Sequence, residues 1–250
     1  MKMKLVRIEK RDSLHILRLD NGVTNAISRE LLEDIAAAVD EISPECRGLV
    51  LAGGEKFFSI GFDLPGLINR DKEYFSGFFT LFNTVCIKLM TLPVPTAAAI
   101  RGHAIAGGTI LATMCDSRFI SAGKTLMGLN EVRLGIPVPY LANLAFRQIL
   151  GEANAFSLML SGDFVPTEEA LSSGLVDQVC SGETVEDRAV EHVSVLSALP
   201  AEAFASIKAV KTSRIVSRYN AEKERYHEEM VRHFLMPSTK ELLARAAEKF

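Results

Sequence analysis

Leu92-Pro93-Val94-Pro95-Thr96-Ala97-Ala98-Ala99-Ile100-Arg101-Gly102-His103-Ala104-Ile105-Ala106-Gly107-Gly108 is the stretch from which the rest of the chain can be read. Ala97 to Ile100 has the length and apolarity of a buried strand, and turn residues flank it. The glycines that follow let a backbone approach a ligand closely, and amides at the start of a helix can hold a negatively charged oxygen. Gly107-Gly108 also fits a second reading, a tight contact between helix and sheet. A lone carboxylate, Glu131, follows in the same region. Exposed amides beside one carboxylate suit proton transfer at a carbon next to a carbonyl, where charge develops on oxygen as the proton leaves.

Outward from this stretch, Leu5 to Glu9 and Leu14 to Leu19 alternate as two strands of an N-terminal hairpin. Ser28 opens a helix with its apolar face on Leu31, Leu32, Ile35, Ala38, Val39 and Ile42, and Pro44 closes it. Gly48 to Gly53 reads as a buried strand, Tyr74 to Met90 as a helix, and Arg118 to Ser121 as a further strand beyond the helix opened at Gly107. Strand, helix, strand in this order implies parallel crossovers and an α/β fold. From about Val138 onward the pattern is helical, ending in segments Glu202 to Ser217, Ala221 to Leu235 and Ser238 to Glu248.

The 250 residues are 48% hydrophobic and 24% charged with a net charge of −3, which suits a globular chain with a sizeable core. No long Lys/Arg cluster supports a nucleic-acid surface, and no apolar run approaches the roughly 20 residues of a bilayer span. Cys46, Cys86, Cys115 and Cys180 lack metal or redox spacing, so four reduced thiols and no metal are expected. No secretory or peroxisomal signal is recognisable, and a cytoplasmic location is the expectation. Gly123-Lys124-Thr125 lacks the earlier glycine of a phosphate loop and reads as a surface turn.

Four segments, the opening stretch among them, carry a family resemblance. Leu19-Asp20-Asn21 through Asn25-Ala26-Ile27, Lys56 to Leu64, Leu92 to Gly108 closing at Met114-Cys115-Asp116, and Asn130-Glu131-Val132-Arg133-Leu134-Gly135-Ile136 resemble, in order, the signatures of the enoyl-CoA hydratase/isomerase (crotonase) superfamily. Leu160-Ser161-Gly162 and Ala170 to Asp177 continue the match, and Gly128 to Ile136 is most similar to Δ3,Δ2-enoyl-CoA isomerases. The resemblance implies a crotonase-like core of repeated β-β-α turns over residues 1–195. It also implies a helical C-terminal region, 196–250, that builds homotrimers or dimers of trimers.

It further implies an acyl-CoA substrate, with coenzyme A entering as part of that substrate and no separate cofactor. The amides of Ile60 and Gly107 become the oxyanion hole, and Glu131 the catalytic acid/base. Ala26, Ile27, Phe58, Phe62, Asp63 and Leu64 fall where the family wraps coenzyme A, Phe58 and Phe62 mainly through main-chain groups; Lys249 is a candidate for a CoA phosphate. Asp63 is equally suited to capping the next helix, and Lys249 to a solvated surface.

The departure from the hydratase pattern decides the expected reaction. Hydratases of the family use two glutamates, and the first falls on Ile110, which cannot activate water. Glu131 alone suffices to move a proton from C2 to C4 of a 3-enoyl thioester, so isomerisation is expected. Leu129, Val132, Leu134 and Ile136 would desolvate Glu131 and raise its pKa. Helix capping or pairing with Arg133 is the structural alternative for Glu131. The other functional readings are a crotonase-type hydratase or hydrolase in which His103 or Asn143 positions water, and a weakly active acyl-CoA-binding subunit. Space-filling is the more ordinary role for His103, fold anchoring for Asp116, and core packing for Met90, Met114, Met127 and Met159. Phe75, Phe78, Phe79 and Phe82 suit core packing or a narrowed acyl pocket between Tyr74 to Met90 and Val138 to Phe146.

Overall fold

The computed structural model describes residues 3–42 and 45–248. Pro44 and Lys249 lie outside the described residues. The chain opens with the expected hairpin, β1 (Val6–Arg11) and β2 (Leu14–Leu19), paired antiparallel. Helix α1 (Arg29–Asp40) starts where Ser28 accepts a hydrogen bond from the Leu31 amide at 3.1 Å, satisfying one of the amides a helix start leaves unpaired. Its buried face is Leu31, Leu32, Ile35, Ala38 and Val39.

Three turns of one unit follow. In each, a longer buried strand enters a large sheet, a three-residue strand enters a small one, and a helical segment returns the chain. The first is β3 (Gly48–Ala52), β4 (Phe57–Ser59), α2 (Leu64–Leu67) and α3 (Lys72–Thr91). The second is β5 (Thr96–Ile100), β6 (His103–Ile105) and α4 (Gly107–Thr113). The third is β7 (Ser117–Ser121), β8 (Leu126–Gly128) and a 3-10 turn, Glu131–Leu134. The large sheet has the order β1-β2-β3-β5-β7-β10, with β10 spanning Gln178–Cys180, and is parallel from β2 onward. In the small sheet, β4, β6 and β8 lie parallel and β9 (Phe164–Pro166) closes the edge antiparallel.

The remaining elements are α5 (Tyr140–Ser161), β9 (Phe164–Pro166), α6 (Thr167–Ser172), β10 (Gln178–Cys180), α7 (Val185–Ser197), α8 (Ala201–Phe234) and α9 (Pro237–Ala247). The helical reading from Val138 onward is therefore corrected at β9 and β10, each too short to show a period of two. The two segments expected between Glu202 and Leu235 are one helix of 34 residues. It passes through Ser217-Arg218-Tyr219-Asn220 because buried Ile215 on one side and Met230, Val231 and Phe234 on the other hold it to a single core. Phe75 and Phe234 stack at 3.6 Å between centroids, tying α3 to the end of α8. All four cysteines are free and buried.

Asp116 anchors α8 to the large sheet. One carboxylate oxygen accepts from the Thr96 amide and hydroxyl, both at 3.0 Å, and from Lys208 Nζ at 2.6 Å; Nζ also donates to the Val94 carbonyl at 2.9 Å. Lys208 is 4% exposed, and burial pushes its ammonium pKa down while Asp116 opposes that shift. Removing one partner of such a pair strands the other charge away from water. Lys208→Ala is expected to lower the unfolding free energy by about 3 kcal/mol in a urea titration, and a loss below about 1 kcal/mol would contradict this anchoring role.

Candidate active site

A cavity of about 680 Å³ lies beside the small sheet and is lined by residues from the loops after β4, β6 and β8 and from α9. Its wall includes Ile60, Phe62, Gly107 and Glu131, so the structure brings the two expected amide segments and the expected carboxylate together. Of the coenzyme A candidates, Ala26, Phe62, Asp63 and Leu64 line it. The side chains of Ile27 and Phe58 do not: both are 0% exposed within the core, and the Phe58 carbonyl accepts from Asn25 Nδ2 at 3.2 Å. Asp63 takes the capping role as well, accepting from the Gly66 amide at 3.3 Å.

The amides of the first loop can be counted one by one. Ile60 donates to the Thr24 carbonyl at 3.1 Å, Gly61 to Ser59 Oγ at 3.2 Å, and Asp63 to the Ile27 carbonyl at 3.0 Å. Phe62, between them, donates to nothing among the described residues. The free donor is therefore Phe62, not Ile60, because the backbone bond to Thr24 already occupies the Ile60 amide. Gly107 is the first residue of α4, so its amide has no partner within the helix.

These two amides sit where two backbones touch. Gly61 has φ +89, and a Cβ there would lie 3.0 Å from the Gly107 nitrogen. At Gly108 a Cβ would lie 2.3 Å from the Ser59 carbonyl oxygen. Glycine is required at both positions, at the first for backbone conformation as well as for space. Ala106 caps α4 with φ 48 and ψ −118, a conformation that costs a residue with a Cβ about 1–3 kcal/mol. Thr109 locks the arrangement: its hydroxyl donates to the Ala104 carbonyl at 2.6 Å and accepts from the Gly128 amide at 3.0 Å. The helix carrying the Gly107 amide is thereby tied to the strand that leads to Glu131.

Glu131 opens the 3-10 turn and is 3% exposed. Its Oε2 has no hydrogen-bond partner among the described residues, and neither does the buried Oδ1 of Asn130 beside it. Burial raises the Glu131 pKa from 4.5 to about 7, opposed by a hydrogen bond from its own backbone. Pairing with Arg133 does not occur: that guanidinium bonds to Asp163 and to the Ser161 carbonyl. Ile110 is 1% exposed in the core and contributes no polar group.

Phe75, Phe78, Phe79 and Phe82 take the core-packing role, and the alternative of a narrowed acyl pocket is corrected. None of Phe75, Phe78, Phe79 and Phe82 reaches the cavity; Phe62 packs edge-on against Phe78 and Phe82, each at 4.9 Å, and shields them. Of Val138 to Phe146 only Pro139 and of α3 nothing lines it, whereas Ile136, Met230 and Leu242 do. Asn143 bonds to Met159 Sδ away from the cavity. His103 lines the cavity and accepts from the Leu126 amide through Nδ1 at 3.1 Å. Arg245 on α9 also lines the cavity and stood out in no sequence pattern, since only the return of α9 over the loops brings it there.

A profile of the enoyl-CoA hydratase/isomerase family matches residues 9–249, and the chain belongs to that family. It is 26% identical over 219 residues to human mitochondrial enoyl-CoA delta isomerase 1, covering 84% of this chain and 72% of that protein. A probable enoyl-CoA hydratase of Mycobacterium tuberculosis, EchA17, is 30% identical over 222 residues, covering 86% and 84%. The crystal structure of human mitochondrial Δ3-Δ2-enoyl-CoA isomerase superposes with a TM-score of 0.93 at 25% identity, covering 98% of both chains. The fold is that of the crotonase enzymes, as the repeated β-β-α turns imply.

A carboxyl whose pKa is raised in the folded protein holds its proton more tightly there than in the unfolded chain. Glu131 therefore makes stability fall as pH rises from about 4.5 to about 7, by about 3 kcal/mol in total. Glu131→Gln is expected to be more stable than wild type by about that amount at pH 8 and equal to it near pH 4. Urea titrations at both pH values check this, and equal stability at pH 8 would show that the carboxyl is not desolvated.

Proposed function

We propose that this protein is an enoyl-CoA isomerase that moves the double bond of a 3-enoyl-CoA into the 2-position. The observation that carries the reading is that Glu131 is the one buried carboxyl among the described residues lining the cavity. The other two carboxylates on its wall are engaged, Asp63 as a helix cap and Asp163 with Arg133. Ionised Glu131 takes a proton from C2 of the substrate. The electron pair of the C–H bond spreads over the dienolate to the thioester oxygen, where the Phe62 and Gly107 amides donate to it. The same carboxyl then returns the proton to C4, and the double bond closes between C2 and C3. Amides aimed at a developing oxyanion in a dry site each supply a few kcal/mol.

Hydration needs a base for water and an acid for carbon. With Ile110 buried in the core, one of these has no counterpart. Buried Ile136 and Met230 on the cavity wall suit an apolar acyl chain. Coenzyme A belongs to the reaction as part of the substrate, and a cytoplasmic trimer or dimer of trimers remains part of this proposal.

An assay following conjugated 2-enoyl-CoA formed from 3-hexenoyl-CoA is expected to show turnover whose kcat/KM rises with pH through about 7, as Glu131 ionises. Glu131→Gln is expected to lose activity by about 10³-fold. No wild-type isomerisation, together with hydration of 2-hexenoyl-CoA, would overturn the proposal in favour of a hydratase.

A further inference from the structure

We propose that His103 is a substrate-binding residue that donates a hydrogen bond from Nε2 to the outer amide carbonyl of the pantetheine arm of a CoA thioester, an assignment that rests on the acyl-CoA reading above. The imidazole accepts from the Leu126 amide through Nδ1 at 3.1 Å. A ring nitrogen that accepts carries no proton, so in the neutral ring the proton sits on Nε2. Nothing among the described residues accepts from Nε2, although the ring is half-buried on the cavity wall. Its plane is tilted at 47° against the Phe57 ring, 5.5 Å between centroids, and Lys56 Nζ lies 5.4 Å over that same ring. The imidazole is therefore held from two sides with one N–H left for a ligand.

Position selects the ligand atom. Gly107 lies four positions after His103, and the chain from His103 to Ile105 is strand, which puts His103 roughly 10–14 Å from the oxyanion amides. That is beyond reach of C2 and C4. Polarity selects the direction. Beside His103 the chain surfaces at exposed Lys56 and Lys124, whereas beside Glu131 the wall is buried, apolar Ile136, whose amide donates to the Glu131 carbonyl at 3.1 Å. A thioester held at Phe62 and Gly107 places its acyl chain toward the second wall and its polar arm toward the first. Along that arm the inner amide stays close to the sulfur, and the outer amide carbonyl is the neutral acceptor that reaches His103.

The test is calorimetric titration of hexanoyl thioesters of N-acetylcysteamine, which carries the inner amide alone, pantetheine, which carries both, and coenzyme A. Three proteins are compared: wild type, His103→Asn and His103→Gln. Asparagine can accept from Leu126 but stops short of the ligand; glutamine extends an N–H to the position of Nε2. The expected result is a Kd raised about tenfold in His103→Asn for the pantetheine and coenzyme A thioesters, with the N-acetylcysteamine thioester unchanged and His103→Gln within about threefold of wild type throughout. Equal weakening of all three thioesters, identical behaviour of the two variants, or no change in His103→Asn would each overturn the assignment. Because the saturated thioesters do not react, absence of isomerase turnover leaves this measurement intact. Failure of wild type to bind any of the three would sink the acyl-CoA reading itself.

Discussion

Two backbone turns from different repeats meet without side chains between them, and the site depends on that contact. Gly61 at φ +89 lies against the start of α4, close enough that a Cβ would approach the Gly107 nitrogen to 3.0 Å. The surrounding bonds hold the turn in place: Ile27 donates to the Gly61 carbonyl at 2.7 Å, and Asp63 returns a bond to the Ile27 carbonyl. Every amide from Ile60 to Asp63 is thereby used except that of Phe62. The Phe62 N–H, on a half-buried residue of the cavity wall, is thereby left to donate to an acceptor oxygen beside a desolvated carboxyl.

The repeating architecture is what makes such a contact possible. Each turn places its longer strand in the large sheet, where the apolar runs are buried, and its three-residue strand in the small sheet. The chain then leaves β4, β6 and β8 on one side, delivering Phe62, Gly107 and Glu131 to neighbouring positions. Thr109 couples the second and third deliveries by bonding to both β6 and β8. At the other side of the molecule the Asp116–Lys208 pair fastens the long helix α8, whose far end brings Met230 to the cavity wall and leads into α9.

Much of this was legible in the residues themselves. The hairpin, α1 with its Ser28 cap, and β3, β5 and β7 follow from alternation, helical spacing or apolar runs of adequate length. Glu131 stood out as a lone carboxylate among apolar neighbours, and its burial matches that reading. The strands of the small sheet were not legible, because Phe57–Ser59, His103–Ile105 and Leu126–Gly128 are too short for any period to show. The assignment of an oxyanion amide to Ile60 failed for a related reason. Which amide is free depends on Thr24 and Ile27, more than thirty residues away, and no local pattern records that bookkeeping. Likewise the polar run at Ser217 to Asn220 reads as a break, while packing at both ends keeps α8 continuous.

A crystal structure with hexanoyl-CoA bound tests the central claim most directly. The account predicts the thioester oxygen within about 3.1 Å of both the Phe62 and Gly107 nitrogens, the Glu131 carboxyl facing C2 and C4, and the Ile60 amide still bonded to Thr24. A thioester oxygen bonded to the Ile60 nitrogen, or to neither Phe62 nor Gly107, would contradict it.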